Sequence, residues 1–231
     1  METTLHRQLK QLYAPPGARQ EVAVGGYRID VVDGRRLIEI QHGSLAAIRD
    51  KVRRLVQSHD VLVVKPIVVR KTILRFAAPD GPLLASRLSP KRGSLLDVFD
   101  DLVYFTRVFP HRRLTLELLP VEIEEHRIPG HGRRRRWRRK DQVALDQRLI
   151  SAGSTVRLAK ACDLITLLGI ELPNRFHTGH LADQLGITRW FAQRIAYCLR
   201  ETGAARSVAK ERNALIYELA RPGAGRRKRA A

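Results

Sequence analysis

The sequence predicts an α/β domain built on a mixed β-sheet, followed by a mainly α domain. Two runs of alternating apolar and polar residues flank Asp33-Gly34, which is the pattern of a β-hairpin. A helical pattern follows and then a continuous apolar run at 61–64, so a helix is expected to join the hairpin to a buried strand. From residue 154 onward, helical patterns end at glycines. The predicted parts are a sheet domain at 1–128, a basic linker or arm at 129–145, a helical domain at 146–221 and a disordered basic tail at 222–231.

The remaining elements of the first domain are predicted from apolar spacing, caps and breakers. A helix is expected over residues 3–13, because three leucines recur on one helical face, and the Pro and Gly residues at 15–17 end it. Ser44 and Ser94 are good N-caps and predict helices that begin just after them, the second running to about residue 108. The segment 114–119 is strand-like.

Two acids of the hairpin are predicted to face each other. If the connection has an even number of residues, Asp30, Glu39 and Gln41 point to one face of the sheet. With 33–36 as a four-residue loop, Asp30 lies directly opposite Glu39. Two carboxylates that close repel each other unless a cation lies between them. This pattern predicts a Mg²⁺ site, and the alternative is a solvated strand face whose acids point into water.

The arrangement resembles the PD-(D/E)XK nuclease superfamily, which includes restriction endonucleases and Holliday-junction resolvases. The resemblance covers roughly residues 1–75. It rests on Asp30 as the first metal-binding acid and on Glu39-Ile-Gln41 as the E-x-K-type signature, followed by the helix at 45–56. It implies a restriction-endonuclease-like domain that hydrolyses phosphodiester bonds in DNA. It also implies that Asp30, Glu39 and the Ile40 carbonyl hold Mg²⁺ or Mn²⁺.

The superfamily also supplies an upstream acid and usually has a lysine at the third signature position. Glu21 and Glu2 are the candidates for the upstream acid, and Glu21 is favoured because it adjoins the hairpin; its role would be to support a second cation or its water shell. Gln41 stands in place of the lysine and, being neutral, would orient the attacking water. Arg49 or Lys51 on the following helix is a candidate replacement for the missing charge. The substitution keeps an alternative open, a DNA-binding regulator or scaffold with a catalytically degenerate nuclease fold.

The net charge of +20 predicts a polyanionic partner. Residues 131–231 carry 22 basic and 8 acidic side chains, so the excess is concentrated there. One basic run is interpreted as an arm that binds DNA phosphates, with a tryptophan available for stacking, and the alternative is a solvated linker or an exposed hairpin tip. The members of this run are Arg133, Arg134, Arg135, Arg136, Trp137, Arg138, Arg139 and Lys140.

Three helices followed by a hairpin are predicted within residues 154–220. This pattern resembles a winged helix-turn-helix domain, and the segment Leu181-Ala-x-x-Leu-Gly-Ile-Thr188 carries the resemblance. The resemblance implies that the helix at 189–202 enters the major groove of DNA, while the hairpin touches phosphates. The alternative is a protein-interaction module of the same fold. The residues expected to contact DNA are Arg189, Gln193, Arg194 and Arg200 on the helix, and Lys210 and Arg212 on the hairpin.

Composition limits the remaining possibilities. No apolar run is long enough to span a membrane and the N-terminus has no apolar signal region, so a cytoplasmic protein without a membrane partner is expected. Cys162 and Cys198 are interpreted as reduced core residues. A basic RNA-binding protein is a further alternative, but aromatic residues make up only 6% of the chain, which argues against stacking-based recognition of single strands, so DNA is the expected partner. A second copy of the chain is a further candidate partner.

Overall fold

The computed structural model describes residues 3–130 and 142–220. The helices are α1 Thr4–Tyr13, α2 Arg49–Leu55, α3 Val98–Leu102, α4 Asp163–Leu168, α5 Thr178–Leu185 and α6 Arg189–Thr202. The strands are β1 Arg19–Val24, β2 Tyr27–Asp33, β3 Arg36–Ile40, β4 Asp60–Phe76, β5 Leu83–Leu88, β6 Leu114–Pro129, β7 Gln142–Ala152, β8 Val156–Leu158, β9 Ala205–Glu211 and β10 Ala214–Leu219.

One mixed eight-stranded sheet dominates the described part of the chain. Its strand order is β1-β2-β3-β4-β6-β7, with β5 paired to β4 and β8 paired to β6. The connection from β3 to its neighbour β4 runs through a 3₁₀ turn and α2. The α/β class and the mixed sheet predicted for the first domain are therefore confirmed. A second sheet holds only the antiparallel pair β9 and β10.

The β2–β3 hairpin has the predicted register but a tighter turn. Val31 pairs with Ile38 and Asp33 pairs with Arg36, so the connection is the two-residue turn Gly34-Arg35 rather than a loop at 33–36. The predicted four-residue loop and the observed two-residue turn both have an even number of residues. Asp30 and Glu39 therefore point to the same face of the sheet in either case, as predicted. Gly34 has φ of +55°, a conformation that such turns require and that glycine adopts without strain.

The chain divides into two compact units, and neither is one continuous segment. The first unit contains residues 1–42, 64–95 and 118–155. The second contains residues 43–63, 96–117 and 156–231. These units differ from the predicted domain boundaries. The sequence predicted a separate, mainly α domain at 146–221. In the structure, residues from 156 onward instead cluster with residues 43–63 and 96–117 in one unit.

Residues 142–152 provide the clearest correction to the predicted boundaries. They form β7, which pairs along its length with β6, whereas the sequence placed them partly in a linker and partly in the helical domain. The apolar side chains Val143, Leu145 and Ile150 are exposed. A strand at the edge of a sheet whose apolar residues are exposed gives little burial signal, so its pairing partner was not evident from the sequence.

In the first unit, α1 packs against β2, β3 and β7. Leu5 and Leu9 are buried on the inner face of this helix, as the leucine spacing predicted. The Thr3 hydroxyl accepts a hydrogen bond from the His6 N–H, 3.3 Å, which caps the start of α1. The helix therefore presents a fixed set of side chains to three strands of the sheet.

In the second unit, α6 packs against α3, α5 and β9. Ile195 and Leu199 on this helix and Phe99 on α3 are buried. The Thr188 hydroxyl caps α6 by accepting from the Phe191 N–H, 3.3 Å, so the predicted bounds of this helix are confirmed. The helix expected after Ser94 is shorter than predicted at both ends, because a 3₁₀ turn precedes α3 and the chain turns after Leu102 instead of continuing as a helix to residue 108. None of the described helices is long and apolar enough to cross a membrane.

Candidate functional site

Three carboxylic acids occupy one row across β1, β2 and β3. The pairs on either side of Glu21 place it opposite Asp30, and the β2–β3 register continued by one residue places Asp30 opposite Glu39. Residues that lie opposite each other on neighbouring strands share a face of the sheet. We call Glu21, Asp30 and Glu39 the acid row. All three belong to the first unit.

Asp30 is held by two contacts. The Ile40 N–H donates to its Oδ2 atom at 2.7 Å, and the His6 ring nitrogen Nε2 lies 3.1 Å from its Oδ1 atom. The first contact comes from β3 and the second from α1, so the sheet and the helix fix the carboxylate from two directions. A carboxylate whose orientation is fixed in this way is preorganised for binding.

Glu39 is a carboxylic acid inside the protein, with 4% of its surface exposed. Burial of a charged carboxylate is costly, and such groups are retained mainly where they pair with protein side chains, bind a metal ion or serve a reaction. Gln41, two residues further along, is half-buried, and its backbone N–H donates to the Val64 carbonyl of β4 at 2.8 Å. The Glu39-Ile-Gln41 segment therefore lies between Asp30 on one side and β4 on the other.

Glu21 is turned toward cations. It pairs with the buried Lys10 of α1 and with Arg28 of β2. These contacts lower the pKa of its carboxyl, with the hydrogen bond from Lys10 as the largest cause, so it is ionised at neutral pH. Its φ of +57° is unusual for a residue other than glycine. The structure thus places Glu21 next to Asp30 in register but engaged with basic side chains; Glu2 lies outside the described residues.

Lys65 is a second buried cation in this unit, with 6% of its surface exposed. It follows Val64 on β4, and its ammonium donates to the His42 carbonyl at 3.2 Å. The pKa of the His42 ring is lowered, first by loss of hydration and then by the charges of Lys65 and His6. The Lys65 ammonium therefore lies at the end of β3, beside the carbonyl of the residue that follows Gln41. By contrast, Arg49 and Lys51 belong to the second unit.

The donors at the acid row have the chemistry that Mg²⁺ prefers. Within residues 3–130 and 142–220, no group of three or more His, Cys, Asp or Glu side chains is arranged to hold a metal ion. Asp30 and Glu39 offer carboxylate oxygens from neighbouring strands. Mg²⁺ keeps several water ligands and commonly takes only one or two protein carboxylates together with substrate phosphate. The chemistry of these carboxylate oxygens therefore fits a partly hydrated Mg²⁺, and the His6 ring fixes the orientation of Asp30.

Comparison with known proteins places this region in a family. The profile described as "Domain of unknown function (DUF8091)" matches residues 3–159. The chain belongs to this family. It is also similar to an uncharacterized protein of Treponema pallidum (strain Nichols), with 31% identity over 228 residues, which cover 97% of this chain and 88% of the relative. No solved structure matches. The DUF8091 region runs from α1 through β8, so it contains the whole acid row and includes β7 with the other strands of the sheet.

Beyond the DUF8091 region, α6 carries the basic residues expected to contact DNA. Arg189, Gln193 and Arg200 are exposed. Arg194 is half-buried, because it pairs with Asp100 of α3 at 2.8 Å and stacks over the Trp190 ring at 4.0 Å. On the β9–β10 hairpin Lys210 and Arg212 are exposed. The predicted arm Arg133, Arg134, Arg135, Arg136, Trp137, Arg138, Arg139 and Lys140 lies outside the described residues.

Sequence reasoning missed the basic side chains around the acid row. His6 and Lys10 lie one helical turn apart on α1, so they reach neighbouring strands, but nothing in their spacing identified those partners. Lys65 did give a signal, because it interrupts the long apolar run of β4 and a lysine in a buried strand is rare. The cysteine interpretation was wrong for one of the two, since Cys162 is exposed and only Cys198 is buried.

Proposed function

We propose that the chain is a Mg²⁺-dependent DNA endonuclease and that the acid row is its catalytic centre. The observation that carries the proposal is the pair Asp30 and Glu39, opposite each other on adjacent strands, with Glu39 buried. Two acids so placed are costly to the fold, and a bound divalent cation would offset their repulsion.

The order of elements also supports this proposal. The chain proceeds from α1 through the three neighbouring strands β1, β2 and β3, then through α2 to β4. The resemblance to PD-(D/E)XK nucleases rests on the same order, with the first acid on the second strand and the Glu39-Ile-Gln41 signature on the third. We propose a restriction-endonuclease-like fold for this part on these grounds.

Each residue of the site has a proposed role. Asp30, Glu39 and the Ile40 carbonyl would hold the Mg²⁺, and His6 would orient Asp30. Bound Mg²⁺ supplies a Lewis acid and lowers the pKa of a coordinated water. Gln41 would orient the attacking water through its amide. Lys65 would balance the negative charge of the scissile phosphate, the task that a lysine at position 41 would otherwise have. The attacking water would add to phosphorus and lose one proton to solvent, while the ester P–O bond breaks and the leaving oxygen takes up a proton from solvent.

For residues 156–220 we propose a winged-helix-like DNA-binding module. Helices α4, α5 and α6 followed by the β9–β10 hairpin occur in the order that the sequence resemblance requires. The exposed basic residues of α6 and of the hairpin support contact with phosphates, which would give affinity without sequence discrimination. DNA is the proposed partner of both parts of the chain.

A specific observation favours a second candidate, a DNA-binding regulator or scaffold. Gln41 is neutral. Both oxygens of Asp30 already have hydrogen-bond partners within the protein, the Ile40 N–H for Oδ2 and the His6 ring for Oδ1. A carboxylate satisfied in this way can serve the fold alone. In this alternative the acid row would stabilise the sheet, and α6 with its hairpin would carry the function.

Cleavage assays distinguish the two candidates. Supercoiled, linear, single-stranded and branched DNA would be incubated with the protein and Mg²⁺ or Mn²⁺, alongside Glu39→Gln and the control Asp33→Asn. Asp33 is an exposed acid on the same hairpin, so its variant makes the same chemical change away from the acid row. The proposal expects cleavage by the native protein and by Asp33→Asn, and none by Glu39→Gln. Equal inactivity of all three, with DNA binding intact, would select the regulator.

A further inference from the structure

Helix α6 exposes two aromatic rings on the face opposite its buried side. Trp190 is 58% exposed and Tyr197 is 37% exposed, while Ile195 and Leu199 face the interior of the second unit. Rings of this size normally bury most of their surface. The exposed residues recur every three or four positions and form one stripe, which we call the α6 face: Arg189, Trp190, Gln193, Tyr197 and Arg200.

Neighbouring arginines hold both rings in place. The Arg194 guanidinium lies 4.0 Å from the centroid of the Trp190 ring and is itself anchored by Asp100 at 2.8 Å. The Arg200 guanidinium lies 5.6 Å from the centroid of the Tyr197 ring. A ring that is already ordered loses little conformational entropy when it binds a ligand. The α6 face is therefore a preformed aromatic surface edged with positive charge.

The spacing of the rings matches a nucleotide chain. Trp190 and Tyr197 are seven positions apart, which corresponds to a rise of roughly 10 Å along the helix axis. Successive nucleotides of a strand are spaced by about 3.4 Å when stacked. A strand lying along α6 would therefore bring bases that are three positions apart to the two rings.

We propose that the α6 face binds unpaired DNA, with bases stacked on Trp190 and Tyr197 and phosphates contacted by Arg189 and Arg200. In duplex DNA the faces of the bases are stacked on each other and only their edges are open in the grooves. An exposed indole can stack on a base only where that base is unpaired. The net charge of +20 favours a polyanion over an apolar protein surface as the occupant. This inference deepens the proposed DNA binding by residues 156–220 but does not depend on the acid row.

Fluorescence of the full chain tests the proposal. The chain has two tryptophans, so a Trp137→Phe variant makes the emission report on Trp190 alone. It would be titrated, in buffer with EDTA, with oligo(dT) of about 15 nucleotides, with the matching oligo(U) and with a blunt duplex of the same length. We expect quenching by oligo(dT), and tighter binding of oligo(dT) than of the duplex or of oligo(U).

Variants then assign the effect to the α6 face. Trp190→Ala should weaken oligo(dT) binding by about tenfold, and Trp190→Phe should retain most of the affinity. The control is Tyr104→Ala, which removes another exposed aromatic ring of the second unit and should bind as the native chain does. Thermal unfolding of each variant would verify that it is folded.

Any of three results would overturn the stacking proposal. They are unchanged Trp190 emission with oligo(dT), equal affinity of the Trp190→Ala and Tyr104→Ala variants for oligo(dT), and tighter binding of the duplex than of oligo(dT). Tighter binding of oligo(U) would overturn the assignment to DNA. Because the titrations contain no divalent metal, an inactive acid row leaves their result unchanged. Conversely, Mg²⁺-dependent cleavage by a chain whose Trp190 emission does not respond would overturn this inference alone.

Discussion

Glu125 is a buried acid of β6 whose carboxylate accepts hydrogen bonds from three neighbours. Lys71 and Gln147 each donate to its Oε2 atom at 2.9 Å, and Arg127 donates to its Oε1 atom at 2.7 Å. Burial would raise the pKa of this carboxyl, but the hydrogen bonds from Lys71, Arg127 and Gln147 hold it at about 2. The cluster lies in the same unit as the acid row and has no role in the proposed reaction. Its expected contribution is to stability.

The stability of the protein should fall in acid because of Glu125. Its pKa in the folded state, about 2, is below the usual value of 4.5. The ionised carboxylate therefore contributes fully above about pH 4.5, and the contribution is lost as pH falls toward 2. A shift of this size corresponds to about 3 kcal/mol at most. Urea unfolding of the native chain across this pH range should show that loss, and Glu125→Gln should show a shallower pH dependence. Identical slopes for the two proteins would contradict the assignment, and Glu122→Gln on the same strand is the control.

The two cysteines should differ in reactivity. Burial raises the pKa of the Cys198 thiol to about 12, whereas Cys162 is exposed. Only the thiolate reacts with disulfide reagents, so the native protein should expose one reactive thiol and the unfolded protein two. A thiol-counting assay with and without denaturant measures this, and Cys162→Ser should remove the native reaction. Rapid reaction of that variant in native buffer would show that Cys198 is accessible.

At the scale of elements, the sequence predicted those helices and turns that are determined by residues close together in the chain. The cap at Thr188 and the leucine spacing of α1 identified these two helices, and the parity of the β2–β3 connection placed Asp30 opposite Glu39. It could not assign β5 and β7, because exposed edge strands carry little periodic burial signal. The positions of Lys65 and His42 at the end of β3 follow from pairing between strands that are distant in sequence. Only the structure could show that pairing.

The β3–β4 pairing predicts that Lys65 performs the task usually assigned to a lysine at position 41. Lys65→Met should lower the single-turnover cleavage rate by about a hundredfold, because removal of one group that stabilises the transition-state charge has an effect of that order. Gln41→Lys introduced into the Lys65→Met chain should restore much of the rate. Native-like cleavage by Lys65→Met would show that the ammonium has no part in the reaction. No recovery in the double variant would show that Lys65 does not perform the task of a lysine at position 41.

At the scale of the whole molecule, the two compact units are interleaved along the sequence. The second unit combines residues 43–63, 96–117 and 156–231, so its core contains Phe99 of α3 as well as Ile195 of α6. The family match ends at residue 159, inside this unit. The sequence predicted consecutive domains and did not predict this interleaving. Runs of charge and glycines at helix ends identify surface segments, but they do not show which segments of the chain share a core.

Truncation tests this interleaving. A chain ending at residue 159 would lack α6, which packs on α3, and so would leave Phe99 without part of its apolar surroundings. We expect it to unfold at clearly lower denaturant concentration than the full chain, whereas a chain ending at residue 220 should unfold as the full chain does. Equal stability of the chain ending at 159 would show that the N-terminal region is an independent domain.

Binding of Mn²⁺ tests most directly the claim that Asp30 and Glu39 hold a divalent cation. Electron paramagnetic resonance of Mn²⁺ titrated with the protein reports the bound fraction without requiring cleavage. The account predicts one site in the native chain and in Asp33→Asn, with affinity lost by tenfold or more in Glu39→Gln, since a ligating carboxylate would be removed. The same affinity in the native chain and in Glu39→Gln, or no binding by the native chain with DNA present, would contradict it.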